Sequence, residues 1–331
     1  MTTHTGTTAA PWQRAAHGAN LLDASGTLAG TIFEEMTVLA GTHGAVNLGQ
    51  GFPDEDGPVQ ILEAARTAIS AGANQYAPGR GIPVLREAIA AHQARFYGLS
   101  VDPAEEVLVT TGATEAIAAA LLALTGPGDE VLTFEPFYDS YGAMIELTGA
   151  RHVTVPLHEP DFLPDEDELA GAVTDRTKVI LVNNPHNPTG TVFGPELLQR
   201  IVEEAARHGA IIVTDKVYEH LTFDGVTHVP VATLPGAAER TLTISSAGKT
   251  FSVTGWKVGW LTGPADLVAA VRTVKQFLTY SSASPLQGAV ALGLGLDDDV
   301  YAGLASSLRR KRDDVLAEAV RRLTAFGSAG A

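Results

Sequence analysis

From about residue 106 onward the chain alternates short apolar runs with stretches of helical character. "EEVLVTTG", from Glu105, leads into "ATEAIAAALLAL", and "DEVLTFEP", from Asp129, leads into "FYDSYGAMIEL". Then come "RHVTVPL", "TKVILVNNP", the helical "PELLQRIVEEAARHG", "AIIVTD", "TLTISS" and "WKVGWLTG". Strand, crossover helix, strand restricts the chain to an α/β fold with a mostly parallel sheet and helices on its faces. Ligands of such sheets bind beyond the carboxyl ends of the strands, so chemistry is sought directly after each apolar run.

The flanking segments read differently. Residues 1–20 are small and polar and are expected to be mobile. "TIFEEMTVLAGTHG", from Thr31, has helical spacing, with Ile32, Met36, Val38 and Leu39 able to share a face. "AVNLGQGFPDEDGP" reads as loop; residues 58–72 and 82–97 read as amphipathic helices joined by "GANQYAPGRG". A last helix over roughly 299–325 carries "RRKRDD", read as a solvated charged face.

Composition narrows the function classes. The 331 residues are 45% hydrophobic and 18% charged, a globular balance with length for about two domains. A net charge of -16 argues against nucleic acid and acidic membrane surfaces as partners. There are no cysteines, which removes disulfides, thiolate nucleophiles and cysteine metal sites; no metal site is predicted. The N-terminus lacks the apolar core of a signal peptide, and no apolar run approaches the ~18 residues of a membrane span. The expectation is a soluble, cytoplasmic protein.

Each strand end offers a functional reading beside a plain structural one. Thr111-Gly112-Ala113-Thr114 opens an Ala-rich helix, where free N–H groups and the helix dipole suit a phosphate; an ordinary helix start is the plain reading. Tyr138, in "EPFYDSY", either stacks on a flat ring or fills core. "NNPHNPTG" is a stiff turn that either aims the Asn187 amide at a ligand oxygen or caps a helix. Asp215 ends a buried strand, where an acid is costly unless paired. It either caps a turn or faces a pyridine nitrogen and keeps it protonated, with Tyr218 reaching the same ring's oxygen. Lys249, in "SSAGKTFS", is a solvated loop lysine or an amine held in a pocket for imine formation. Lys257, near Ser246, would bind phosphate and lower the Lys249 pKa. An imine-forming amine, a pyridinium partner, an oxygen-binding pair, a stacking ring and a phosphate cradle together fit pyridoxal 5'-phosphate.

At these residues the chain resembles the fold-type I aminotransferases of class I/II. "NLGQGFPD", "NQYAPGRG", "TTGATEAI", "EPFYDSY", "NNPHNPTG", "DKVYEHL" and "SSAGKTFSVTGWKVGW" are similar to the kynurenine/glutamine and methionine aminotransferase branch. They look closest to its actinobacterial members named N-succinyldiaminopimelate aminotransferase, over roughly residues 25–325. The resemblance implies a large domain with a mostly parallel seven-stranded sheet sandwiched by helices, plus an incomplete small domain. On this reading residues 1–45 form an N-terminal arm and part of the small domain. Residues 46–295 form the cofactor-binding domain, and 296–331 the long helix and the start of a truncated small domain.

The resemblance also assigns roles. Lys249 would be the Schiff-base lysine and move the proton in a ping-pong amino transfer between an amino acid and a 2-oxo acid. Asp215 would pair with the pyridine nitrogen, Asn187 and Tyr218 with the ring oxygen, and Tyr138 would stack on the ring. Ala113, Thr114, Ser246 and Lys257 would bind phosphate. Tyr76 would reach the cofactor of a partner subunit, implying a homodimer. Gly49 and Asn187 would line the substrate carboxylate. A cysteine-S-conjugate β-lyase, or a truncated cofactor-binding homologue of low activity, are the alternative readings.

The chain departs from the family pattern at two points. Lys216 stands where the family usually has Glu, and its side chain is expected to point away from the ring with modest effect. Family members also continue for roughly fifty or more residues beyond "RLTAFGSAGA", with a strand-borne Arg for the substrate carboxylate. From this ending, apolar faces are expected to lie open on the helices around residues 32–39 and 299–325.

Overall fold

The structure, a computed structural model, describes residues 10–328 apart from residues 23, 24, 48, 50 and 52. The polar N-terminus is more ordered from residue 10 on than its composition suggests. Helix α1 (Pro11–Gly18) packs on the helix that holds Gly142 and Glu146; residues 1–9 of the segment expected to be mobile lie outside the described residues. The physical reason is a backbone contact that only glycine permits. A Cβ on Gly18 would come within 2.3 Å of the Gly142 carbonyl oxygen, and Arg14 donates to the Glu146 carbonyl at 3.2 Å.

Helix α2 (Ile32–His43) is capped by Thr31, whose side chain accepts from the Glu34 N–H, and it ends at Gly44 in the left-handed region. Helices α3 (Val59–Ser70) and α4 (Pro83–Tyr97) follow, close to the predicted spans, α4 with its proline at the first helical turn.

The α/β core then runs β1 (Val107–Thr111), α5 (Gly112–Leu124), β2 (Glu130–Glu135), α6 (Ser140–Thr148) and β3 (Arg151–His158). It continues through β4 (Leu163–Pro164), α7 (Glu166–Ala172), β5 (Thr177–Asn183), α8 (Pro195–His208), β6 (Ile211–Asp215) and β7 (Thr241–Ser246). A short helix α9 (Ala247–Thr250), β8 (Val258–Thr262), α10 (Ala265–Leu278), α11 (Ser284–Leu294) and α12 (Asp298–Ser328) complete the described chain.

The sheet order is β1-β8-β7-β6-β5-β2-β3-β4. Strands β7, β6, β5, β2 and β3 pair in parallel, whereas β8 is antiparallel to both β1 and β7. The sheet has eight strands where seven were expected. The eighth is the two-residue β4, which folds back antiparallel on β3 at the edge.

Alternation along the strands splits the core. Leu108, Val213, Leu242, Ile244 and Leu261 face one layer, closed by α5, α6 and α10. Val107, Val109, Val258 and Trp260 face the other, against Ile61 of α3, Leu85 and Ile89 of α4 and Val290 of α11. Burying each such aliphatic side chain contributes about 1.5–3 kcal/mol. The parallel strands are buried on both faces, so they read as unbroken apolar runs.

At the periphery, Ile32 and Val38 of α2 and Val315, Leu316 and Val320 of α12 are exposed. Among the described residues no helix is long and apolar enough to cross a membrane.

Candidate active site

A cavity of about 720 Å³ opens where the carboxyl ends of β1, β2, β5, β6 and β7 converge. Its wall includes Gly49, Ala113, Thr114, Tyr138, Asn187, Asp215, Tyr218, Ser246, Lys249 and Lys257. These residues come from five different strand ends and a preceding loop. The topology alone gathers them, because parallel strands put every carboxyl end on one edge. Tyr76 is not in the wall; it is 83% exposed and stands edge-on to Tyr280 at 5.8 Å.

The acid and the amine face each other across electrostatic extremes. Asp215 is buried, and desolvation pushes its pKa up, opposed by hydrogen bonds from Tyr141 and the Val217 N–H and by the charge of Lys249. The Tyr141 hydroxyl donates to Oδ2 at 2.8 Å, and the Val217 N–H to Oδ1 at 3.3 Å. Asp215 is therefore both a turn cap and a carboxylate presented to the cavity.

Burial lowers the pKa of Lys249, while Asp215 raises it. Its Nζ stands 5.5 Å from the centre of the Tyr218 ring. Lys257, expected to help depress Lys249, is not among the causes; its side chain is solvent-exposed, where water screens its charge. Tyr218 is pushed up to about 12 by burial, with Asp215 and Tyr138 adding to it.

The rim at α5 is shaped for an anion. The Thr111 side chain at its N-cap accepts no first-turn N–H, and Glu115 takes only the Thr111 N–H, at 2.6 Å, so first-turn N–H groups at the cavity wall stay available. Lys257 Nζ reaches Thr114 Oγ1 at 3.4 Å. Gly112 lies at φ +72°, and a Cβ there would meet Lys257 Cε and Nζ at 3.1 Å. A Cβ on Gly259 would strike the Gly112 carbonyl carbon at 2.4 Å. The two glycines keep the cradle open.

Two wall residues were not singled out in the sequence. Tyr141 lies three residues after Tyr138 in "FYDSY", a helical offset that puts both rings on one side; the rings meet edge to face at 5.5 Å. Asn183 pairs in register with Asp215, donates to its carbonyl at 3.0 Å, and accepts from the Asn187 N–H at 2.7 Å. Register is a tertiary property, so only the terminal position of Asn183 in its apolar run hinted at this. Ile32 and Phe33 of α2 add an apolar side to the mouth.

The family model described as "Aminotransferase class I and II" matches residues 44–325. The chain belongs to the class I and II aminotransferases. This aminotransferase is 54% identical over 290 residues to the probable N-succinyldiaminopimelate aminotransferase of Mycobacterium tuberculosis, covering 87% of this chain and 73% of that protein. It is 42% identical over 283 residues to the methionine aminotransferase of Escherichia coli, covering 86% and 73%. The solved structure of the Mycobacterium tuberculosis N-succinyldiaminopimelate aminotransferase superposes with a TM-score of 0.86 at 54% identity, covering 87% of this chain and 76% of that one.

Enzymes of this family depend on pyridoxal 5'-phosphate, and the residues present fit it. The uncapped α5 start and the glycine cradle suit its phosphate. The buried Asp215 suits its pyridine nitrogen, and the part-buried Lys249 amine suits its carbonyl.

Proposed function

We propose that this aminotransferase works in two half-reactions, one taking the amino group from a donor amino acid and one delivering it to a 2-oxo acid. The observation that carries this is the pairing of Lys249 and Asp215 across one cavity, the amine with its pKa lowered and the acid held by two donors. Bound pyridoxal 5'-phosphate supplies a carbonyl and an electron-withdrawing ring. Lys249 would be the amine that holds this carbonyl, and its Nζ the group that moves the proton at the donor's Cα. Asp215 holds the charge that keeps the ring nitrogen protonated. Tyr218 and Asn187 would hold the ring oxygen, and Tyr138 would stack on the ring. Ala113, Thr114, Ser246 and Lys257 hold the phosphate, and Gly49 lines the place of the substrate carboxylate.

The mouth supports a donor with an extended side chain, since Ile32, Phe33 and Phe137 line it. The apolar side of the mouth by itself suits methionine or kynurenine as well, and it is the 54% identity to the probable N-succinyldiaminopimelate aminotransferase that favours N-succinyldiaminopimelate as the donor. A second subunit completes the site through Tyr76, whose exposed ring adjoins the exposed Tyr280.

The test begins with borohydride reduction of the loaded protein and peptide mass mapping, which should place the trapped adduct on Lys249. A donor panel with 2-oxoglutarate should then rank N-succinyldiaminopimelate first by kcat/KM. An adduct on another lysine removes the assignment; pyruvate release from cysteine S-conjugates without an acceptor acid identifies a β-lyase instead. Sedimentation should give a dimer, and a monomer with full activity sinks the role of Tyr76.

A further inference from the structure

Directly behind the cavity, on the opposite face of the sheet, lies a buried ion pair the reaction does not use. Lys216 and Glu219 are 1% and 4% exposed, and the lysine Nζ donates to Glu219 Oε2. Lys216 points away from the cavity, as expected, because Asp215 before it points in. Its surroundings are not those of a surface lysine. The ammonium also donates to Gln93 Oε1 at 3.2 Å and stands 4.1 Å from the centre of the Tyr97 ring.

Glu219 is more heavily used than one partner requires. Oε2 accepts from Lys216 and from the Tyr97 hydroxyl; Oε1 accepts from Ser245 Oγ at 2.6 Å. Despite burial, Lys216 and the neighbouring histidines hold its pKa far below the carboxylate range. A buried carboxylate held by this many donors is costly to disturb, because each donor lost leaves charge uncompensated away from water.

The location of the Ser245 bond gives it meaning. The β6–β7 ladder ends at the pair Asp215–Ile244, and the last backbone bond is Lys216 N–H to the Ile244 carbonyl at 2.9 Å. Past that point the two chains diverge, and the cavity opens between them. One carries Asp215 and Tyr218; the other carries Ser246 and then Lys249. The Glu219–Ser245 bond crosses the gap just where the ladder stops.

His92, Glu219 and His220 also bring three potential metal ligands within 4.8 Å of one another. Lys216 already places a positive charge on that carboxylate, and the two histidines meet Nε2 to Nε2 at 2.8 Å. A divalent ion would have to displace the ammonium.

We propose that Glu219, charge-matched by Lys216, is a positioning residue for the cofactor pocket: it clamps the turn bearing Tyr218 to the strand end that leads to Lys249. This rests on the roles proposed above for Tyr218, Asp215 and Lys249.

The test is equilibrium binding of pyridoxal 5'-phosphate, far below the melting temperature, to wild type, Glu219→Gln, Tyr218→Phe and the double variant. Glu219→Gln should weaken binding by about tenfold or more, on the scale of a lost charge-assisted hydrogen bond. In the Tyr218→Phe background the same change should weaken it by less than about threefold, because the residue it positions is already altered. A general loss of folding would give equal penalties in both backgrounds, and that result overturns the proposal. Binding within twofold of wild type also overturns it. Should Glu219→Gln fail to fold, Ser245→Ala removes the crossing bond alone and should weaken binding in the same direction; no change there is equally decisive against it. Asp215→Ala and Lys249→Ala separate the two levels. If neither affects binding, the site reading fails; if they do and Glu219→Gln does not, only the clamp fails. Zinc alone should not raise the melting temperature of the wild type, and stoichiometric zinc binding would overturn the role given to Lys216.

Discussion

Tyr141 donates its hydroxyl to Asp215 Oδ2 at 2.8 Å, both groups buried in the wall of the cavity. The bond favours the charged carboxylate, the form that the proposed pairing with a protonated ring nitrogen requires, and so offsets part of the cost of burying it. Tyr141→Phe should therefore weaken pyridoxal 5'-phosphate binding by about tenfold, the scale of one hydrogen bond to a charged group. Cofactor titration of the apo-protein checks this, and unchanged affinity would mean that Val217 N–H suffices alone.

Asp215 itself should trade stability for function. Burial raises its pKa in the folded protein, so the folded chain holds this proton to higher pH than the unfolded chain. Stability then falls as pH rises from the unfolded carboxyl value through the folded one, and the cost is fully present above it. Asp215→Asn removes that cost. The cofactor-free variant should melt higher than wild type at pH 7, with the difference vanishing in acid, while its cofactor affinity drops. Thermal melts across pH are the measurement, and a lower melting point at pH 7 would contradict the account.

Lys249 should react as a neutral amine at lower pH than an ordinary lysine, because burial disfavours its ammonium form. Competitive acylation of the apo-protein, read by peptide mass spectrometry, gives its titration directly. Asp215 raises the Lys249 pKa, so Asp215→Asn should move the titration lower still. An unchanged titration would show that the two groups do not sense each other, and an upward shift would reverse the sign of the coupling.

Gly259→Ala should damage the phosphate cradle without touching a charged group. The new Cβ would lie 2.4 Å from the Gly112 carbonyl carbon and 2.6 Å from the Ala113 nitrogen, so backbone has to move. Overpacking of this kind costs about 1–3 kcal/mol. Protection of the fold by inorganic phosphate should fall in step. Gly255→Ala, where a Cβ meets nothing within 4 Å, is the control and should be near neutral.

The strand-and-helix alternation determined the α/β class, because period-2 and period-3.6 patterns and run lengths are local properties. The parallel-sheet rule then pointed to the strand ends, which is why Thr114, Asp215 and Lys249 were legible one by one. Local pattern did not yield the two-residue β4, too short to carry a period, or the docking of α1, which depends on Gly18 meeting Gly142.

Tertiary structure decided what depends on register and burial. Asn183 reaches Asp215 only because β5 and β6 pair at that step. Lys216 reads in sequence as a charged residue beside a strand, yet it is buried against Glu219, Gln93 and Tyr97, which come from a turn and from α4. The same holds for the lowered pKa of Lys249. Desolvation is set by what folds over a group, and no neighbour along the chain encodes it.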